Sequence, residues 1–318
     1  MRRHKQASPA FLLTALVIAT VVVAAVVVWA LVPKKSSPYP RQTLILVGNP
    51  MTVASWNEAD RNLTLITLPE ALQADGTHGY GTYSFEAFWR LGEIDKKDGT
   101  VLAESMSEAL GVPVTWYVGP KSGQFTKEAD PLMMMKDVFS VSHVFAYLSG
   151  TYRTNMPFST FVNFVWLLQV TKPDRVETFN FTRTPTLIAD DVTIADGSRQ
   201  FILNPAMVDA RLAHVFEDDR VRTETVTAQV FNTTDMPSLG TRVARLLGNL
   251  GVSVVSVGND APEVDACTVS GTQGSLESQS AKIIESILGC VPKFISTSDR
   301  ADLTVRIGKS YTKRFLPN

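Results

Sequence analysis

Two cysteines, Cys267 and Cys290, are the whole thiol supply of the chain. Outside a reducing compartment, residues 23 positions apart can bridge. The strand expected after the helix that ends near Cys290 would return beside the strand carrying Cys267, which favours a disulfide; two buried free thiols are the alternative. The four histidines, His4, His78, His143 and His214, have neither paired spacing nor a cysteine neighbour, so no zinc site is expected and no metal ligand is assigned. His78 lies in GTHGYGTYS (76–84), a glycine-rich loop of a kind that can approach phosphate. Its spacing is neither that of a P-loop nor that of a dinucleotide fingerprint, and no strand leads directly into it, so chain reversal is sufficient explanation. Ser310 and Lys313 have the Ser-x-x-Lys spacing of one hydrolase pattern, but no G-x-S-x-G accompanies them. No catalytic residue is assigned on these signals.

The elements that must position these residues begin beyond an apolar run. Residues 10–32, AFLLTALVIATVVVAAVVVWALV, carry no charge in a chain of 318 that is 45% apolar. At about 1.5 Å per residue a helix of that length spans a bilayer core of about 30 Å. It is longer than the apolar region of a signal peptide, and no small-x-small cleavage site follows it. Residues 1–9 then form a cytoplasmic stub, 10–32 a single transmembrane helix, and 33–42, which include PKKSSPYP, a linker that resists packing. Basic residues flank both ends of the span nearly equally, so length rather than charge places the large C-terminal part outside the cytoplasm. That part holds 31 acidic against 27 basic residues, a net charge of −4, which excludes nucleic acid as a partner. The apolar segment PFSTFVNFVWLLQV (157–170) is too short for a second crossing and reads as a buried helix.

Downstream, hydrophobic periodicity predicts strands at 43–47, 53–56 and 62–68 and helices at 84–91 and 101–110, the second stopped by Gly111. A strand follows at 114–118, helices at 137–148 and 159–169, a strand at 176–181, and a helix from Asn204-Pro205 toward Phe216. Strands interleaved with helices predict a layered α/β domain. After the polar stretch FEDDRVRTE (216–224) the order β-α-β-β-α-β, in about 90 residues, predicts a smaller α+β, ferredoxin-like unit.

Residues 226–308 resemble the C-terminal domain of the LytR-CpsA-Psr family of cell-envelope proteins. The segments that carry the likeness are VTAQVFNTT (226–234), SLGTRVARLLGNLGV (238–252), VVSVGN (254–259) and ADLTVRIGKSY (301–311). Thr233 stands where the family turn has glycine and Gly240 where a small alanine is common. Residues 43–222 are similar to a degenerate form of the family's catalytic domain, and 225–318 to its C-terminal domain. The family moves glycopolymers from a polyprenyl pyrophosphate carrier to the cell wall, with arginines gripping the pyrophosphate and carboxylates holding magnesium. Here LTLITLPEAL (63–72) places Glu70 at the motif arginine and Ala71 at its aspartate, while Gly48-Asn49-Pro50 puts Asn49 in the aspartate-bearing turn. A carboxylate at a phosphate-gripping position repels the ligand. The resemblance thus implies a single-pass membrane protein with a non-catalytic binding or scaffolding module near the cell wall or a polyprenyl-linked glycopolymer, with no cofactor. The alternative is a divergent phosphotransferase, and only that reading requires magnesium.

Overall fold

The computed structural model describes residues 41–69, 71–121, 130–194, 197–297 and 300–316. The stub, the apolar span and residues 33–40 of the linker lie outside the described residues, as does Glu70. The last two linker positions, Arg41 and Gln42, open the first strand.

The larger unit is built on a six-stranded sheet. Strands β1 (Arg41–Leu46), β2 (Met51–Asn57) and β3 (Asn62–Leu68) form an antiparallel meander, in register from Arg41 opposite Asn57 and from Met51 opposite Leu68. The polar Asn57 to Arg61 stretch makes the turn between β2 and β3, with Arg61 at φ +56°. Side chains on successive strand residues point to opposite faces. Ile45, Val53 and Ile66 thus join one core, whereas Leu44, Leu46, Ala54 and Leu65 join another. A sheet apolar on both faces needs cover on both, and the helices supply it.

On the first face lie α1 (Phe85–Ile94) and α2 (Thr100–Leu110), with a second, four-stranded sheet. That sheet contains β4 (Leu72–Asp75) and β5 (Thr82–Ser84), which the periodicity did not predict. The sixth strand in sequence, β6 (Trp116–Pro120), runs parallel to β1, two residues later than predicted, and pairs with β7 (Tyr152–Thr154). The predicted helix 137–148 is two helices, α3 (Pro131–Val138) and α4 (Val141–Leu148), broken at Phe139 and Ser140. Asp130 caps α3 by accepting from Leu132 N at 2.9 Å, and Pro131 suits its first turn. With α5 (Phe158–Val170) these helices cover the second face. The helix α5 is buried on one side only, with Trp166 and Val170 exposed. No helix of the described residues is long and apolar enough to cross a membrane. Strand β8 (Val176–Asn180) closes the main sheet beside β3, while β9 (Ala189–Thr193) and β10 (Arg199–Leu203) complete the smaller one. The helix at Asn204-Pro205, α6 (Pro205–Arg211), is shorter than predicted. The short α7 (Asp219–Thr223) follows, and its Val221 already belongs to the core of the second unit.

The C-terminal unit corrects the ferredoxin-like expectation. Its elements are β11 (Thr227–Asn232), α8 (Leu239–Asn249), β12 (Ser253–Asn259), β13 (Thr268–Gly271), α9 (Gln273–Glu277), α10 (Gln279–Leu288), β14 (Val291–Phe294) and β15 (Leu303–Ile307). A last helix, α11 (Lys309–Thr312), ends the described fold. The sheet has five strands in the order β12-β11-β15-β13-β14. Pairs β11/β12 and β13/β14 are parallel because a helix crosses over between their members, and β15 inserts between the pairs, parallel to β11 and antiparallel to β13. The unpredicted β14, Val-Pro-Lys-Phe, is an exposed edge strand, a place in a sheet that tolerates proline.

Candidate functional site

The first candidate lies at the end of the main sheet where the parallel strands β1, β3 and β6 finish, the position at which open α/β sheets receive ligands. The Gly48-Asn49-Pro50 turn leaves β1 here, with a cis peptide before Pro50, and Pro69 and Ala71 follow β3. Asn49 and Ala71 bring no charge to this edge.

A cation missed in the sequence does. Arg153 sits on β7 opposite Gly119 of β6 and is buried. Gly119 leaves space that a Cβ would take from the Trp89 ring, so Trp89 of α1 packs directly against the strand. The guanidinium of Arg153 is stacked 3.6 Å from the Trp89 ring centroid. Its Nη2 donates to Trp89 O at 3.0 Å, and its Nη1 faces a Glu93 oxygen at 3.3 Å. Trp89 meets Tyr117 edge on at 5.8 Å, and burial pushes the Tyr117 phenol above its ordinary pKa. The arrangement holds a buried cation against an aromatic plane with one carboxylate for compensation. Because the side chain packs as well as pairs, Arg153→Ala is expected to destabilise the larger unit by about 2 kcal/mol in a denaturant melt. An unchanged midpoint would show that the stack carries no stability.

The glycine-rich loop reads differently from a phosphate cradle. Thr77 donates its N–H to Ser105 Oγ of α2 at 3.1 Å, His78 N–H donates to Arg314 O at 2.6 Å, and His78 Nε2 lies 2.6 Å from Glu104. Residues 76–84 thus fasten the larger unit to the C-terminal end of the described chain. Beside them Glu108 of α2 faces Arg242 at 4.0 Å. Burial raises the Glu108 pKa, and the cations Arg314, Arg242 and Arg245 only partly offset this. A carboxyl whose folded pKa is raised holds its proton more tightly when folded. The corresponding stability is full below the ordinary value of 4.5 and is lost as pH rises through the folded value. Glu108→Gln is therefore expected to match the wild type near pH 4 and to gain on it as pH increases toward neutral. Melting temperatures across that range check it; a Gln variant that falls behind at neutral pH would mean the arginines dominate.

The remaining sequence candidates are kept apart. Cys267 and Cys290 are joined by a disulfide, their Cα atoms 4.3 Å apart. Val291 N donates to Cys267 O at 2.9 Å beside the bridge, where β14 departs along β13. His143 pairs with Asp137 O and Ser140, His214 with Glu217, and neither meets His78. Among the described residues no group of three His, Cys, Asp or Glu could hold a metal ion. Ser310 gives its N–H to Asp265 O, and no hydrogen bond joins its hydroxyl to Lys313 among the described residues. The glycine-less turn after β11 works through Asn232, whose Oδ1 accepts from Thr234 N and Oγ1, while Thr233 Oγ1 donates to Ile307 O at 2.8 Å. Gly240 lets α8 approach β12, since a Cβ there would stand 2.9 Å from Val257 Cγ1.

Residues 225–311 match the family described as LytR cell envelope-related transcriptional attenuator. The C-terminal unit is thus similar to the LytR C-terminal domain, as VTAQVFNTT and the helix after it implied. No curated protein matches the chain. Among solved structures, the transcriptional regulator yvhJ from Bacillus subtilis is similar with 8% identity over 56% of this chain and 94% of its own, at a TM-score of 0.39. TagV of B. subtilis is similar with 8% identity over 56% and 95%, at 0.38. The LytR-CPS2A-psr family protein YwtF (TagT), solved with bound octaprenyl pyrophosphate lipid, is similar with 15% identity over 56% and 90%, at 0.36.

Proposed function

We propose that this chain is a cell-envelope protein anchored in the membrane by residues 10–32, with its bulk outside the cytoplasm. Its larger unit binds or scaffolds and does not transfer. The cell-envelope role is carried by the likeness of 225–311 to the LytR C-terminal domain. The absence of transfer rests on the substituted positions, Glu70 by sequence and Ala71 and Asn49 at the sheet end, which supply no phosphate-gripping cation. The ligand class this reading favours is cell wall or a polyprenyl-linked glycopolymer.

A second reading, a divergent phosphotransferase moving glycopolymers from a polyprenyl pyrophosphate carrier to the wall, is favoured by one observation: Arg153 is a buried cation beside the end of β6, and its Nε makes no hydrogen bond among the described residues. Magnesium, which that reading implies, finds no fitting carboxylate cluster among the described residues, so no step is assigned to it. The full chain in lipid vesicles, offered a polyprenyl pyrophosphate-linked sugar and a cell-wall glycan acceptor with and without magnesium, is expected to retain the lipid intact and to form no polyprenyl monophosphate. Metal-dependent turnover would establish the second reading.

A further inference from the structure

Two neighbouring helices of the larger unit are apolar on the side that faces away from the core. On α4, Val141 (72%), Phe145 (75%) and Leu148 (62%) recur at i, i+4 and i+7 and are exposed. On α5, Trp166 (69%) and Val170 (53%) recur at i and i+4. Tyr147 of α4 packs on Phe158 and Phe161 of α5, with ring centroids 5.5 and 4.8 Å apart, so the helices lie side by side. Neither VSHVFAYL nor FSTFVNFVWLLQV contains a single Asp, Glu, Lys or Arg. A helix that faces water on one side ordinarily carries charge there, and a grouped apolar surface marks an interaction site.

The topology says where this surface points. After β7, Asn155 donates from Nδ2 to Thr115 O at 3.0 Å, and Thr115 N–H donates to Thr43 O at 2.9 Å near the start of β1. Beyond Val170, Arg175 reaches Asn62 at 3.5 Å and Val176 pairs with Leu63, beside the Arg41 and Asn57 pair. Both ends of α5 are thus tied to the edge of the sheet at which β1 begins. The sequence from the apolar run, which ends at Val32, to Arg41 is short: eight intervening residues reach roughly 30 Å at full extension. The exposed charges at that edge are mixed, Lys172, Arg175 and Arg61 with Asp174, Glu177, Glu58 and Asp60, so the uncharged helical face and the short tether carry the argument.

We infer that the exposed α4 and α5 face is a bilayer-docking surface on which Phe145 and Trp166 enter the lipid interface, so that the larger unit lies against the membrane that anchors it. The inference rests on the anchoring reading above. Aromatic side chains on an uncharged helical face partition to the headgroup boundary, and the short tether keeps the local lipid concentration high. The docked unit would present the opposite end of the sheet, with Arg153, away from the bilayer.

The test uses the full chain reconstituted in vesicles of phosphatidylcholine and phosphatidylglycerol. A Phe145→Cys variant is labelled with an environment-sensitive fluorophore, and Val255→Cys, exposed on β12 of the other unit, is the control. The native cysteines are bridged and do not take the label. Doxyl-labelled lipid is expected to quench the probe at 145 several-fold more than the probe at 255, and Trp166→Ser is expected to reduce that difference. Equal, weak quenching at both positions in a chain that stays with the vesicles through an alkaline wash overturns the docking surface and leaves the anchor standing. A probe at 145 shielded from aqueous iodide but not quenched by lipid, with chains cross-linking in pairs, overturns it in favour of a second copy. A chain lost in the wash overturns docking and anchoring together.

Discussion

Arg245→Ala is expected to cost about 3 kcal/mol and to split a single melting transition into two. Arg245 belongs to α8 of the C-terminal unit, yet its partners are in the larger one. Its Nε and Nη2 form a bidentate pair with Asp209 of α6 at 2.7 and 2.8 Å. The same guanidinium donates from Nη1 to Glu108 O at 2.7 Å and from Nη2 to Ala109 O at 3.1 Å. Asn249, one turn on, gives its Nδ2 to Gly111 O at 3.1 Å. These carbonyls close α2, and the last carbonyls of a helix have no partner within it. Gly111, at φ +66°, ends the helix in the left-handed conformation, and a Cβ there would crowd both Asn249 and Arg245. One helix terminus of the larger unit is therefore capped by side chains of the smaller. Alanine at 245 leaves Asp209 with the single bond from Asn249 Nδ2 at 3.1 Å, beside two uncapped carbonyls, and the two cores lose their principal polar tie. Calorimetry of the variant checks this. Asp209→Asn combined with Arg245→Ala should be less damaging than the sum of the single changes by about 1 kcal/mol or more. A variant that melts in one transition at the wild-type temperature would mean that the apolar contacts alone hold the units together.

How much of this could be read from residues alone follows the strength of local signals. Strands β1 to β3 and helices α1, α2, α5 and α8 are long and periodic, and Gly111 stops α2 where the pattern said it would. Strands β4, β5 and β7 are three or four residues long, too short for a period of two to show. The break between α3 and α4 was hidden because apolar residues continue through Phe139, while the signals that set it, Asp130 with Pro131 and Ser140, are single residues. In the C-terminal unit the segment order was legible but strand direction was not, because direction depends on which strands lie together, and β14 offered only an exposed Val-Pro-Lys-Phe. Glu70, Ala71 and Asn49 were picked out by a resemblance and not by any local pattern. Arg153 and Arg245 were not, since each owes its role to partners far along the chain: Trp89 is 64 residues from the first, and Asp209 is 36 from the second.

Opening the Cys267–Cys290 bridge is expected to lower the stability of the C-terminal unit by about 3 kcal/mol, the loop-closure entropy of a 23-residue separation. Both sulfurs lie in the core of that unit, Cys267 with 1% of its surface exposed and Cys290 with 6%. The bridge ties the start of β13 to the turn after α10, where Gly289 at φ +66° ends the helix and β14 begins. Strand β14 contributes no buried side chain of its own. Its attachment depends on ladder bonds to β13 and on that covalent tie, so it is the element that frays first. Cys267→Ser with Cys290→Ser also leaves two hydroxyls in an apolar setting, which adds cost, whereas a Cys267→Ala, Cys290→Ala pair isolates the cross-link. The alanine pair is expected to reduce the melting temperature by roughly 10 to 20 °C for a unit of this size, and hydrogen exchange should quicken first at residues 291–294. Protection lost evenly over β11, β12 and β15 as well would place the bridge in the stability of the whole sheet rather than of its edge. The larger unit bears no cysteine. In the Arg245→Ala chain, where the two units melt separately, reductant should therefore leave the transition of the larger unit in place, which separates the loss of the bridge from a general effect of the reagent.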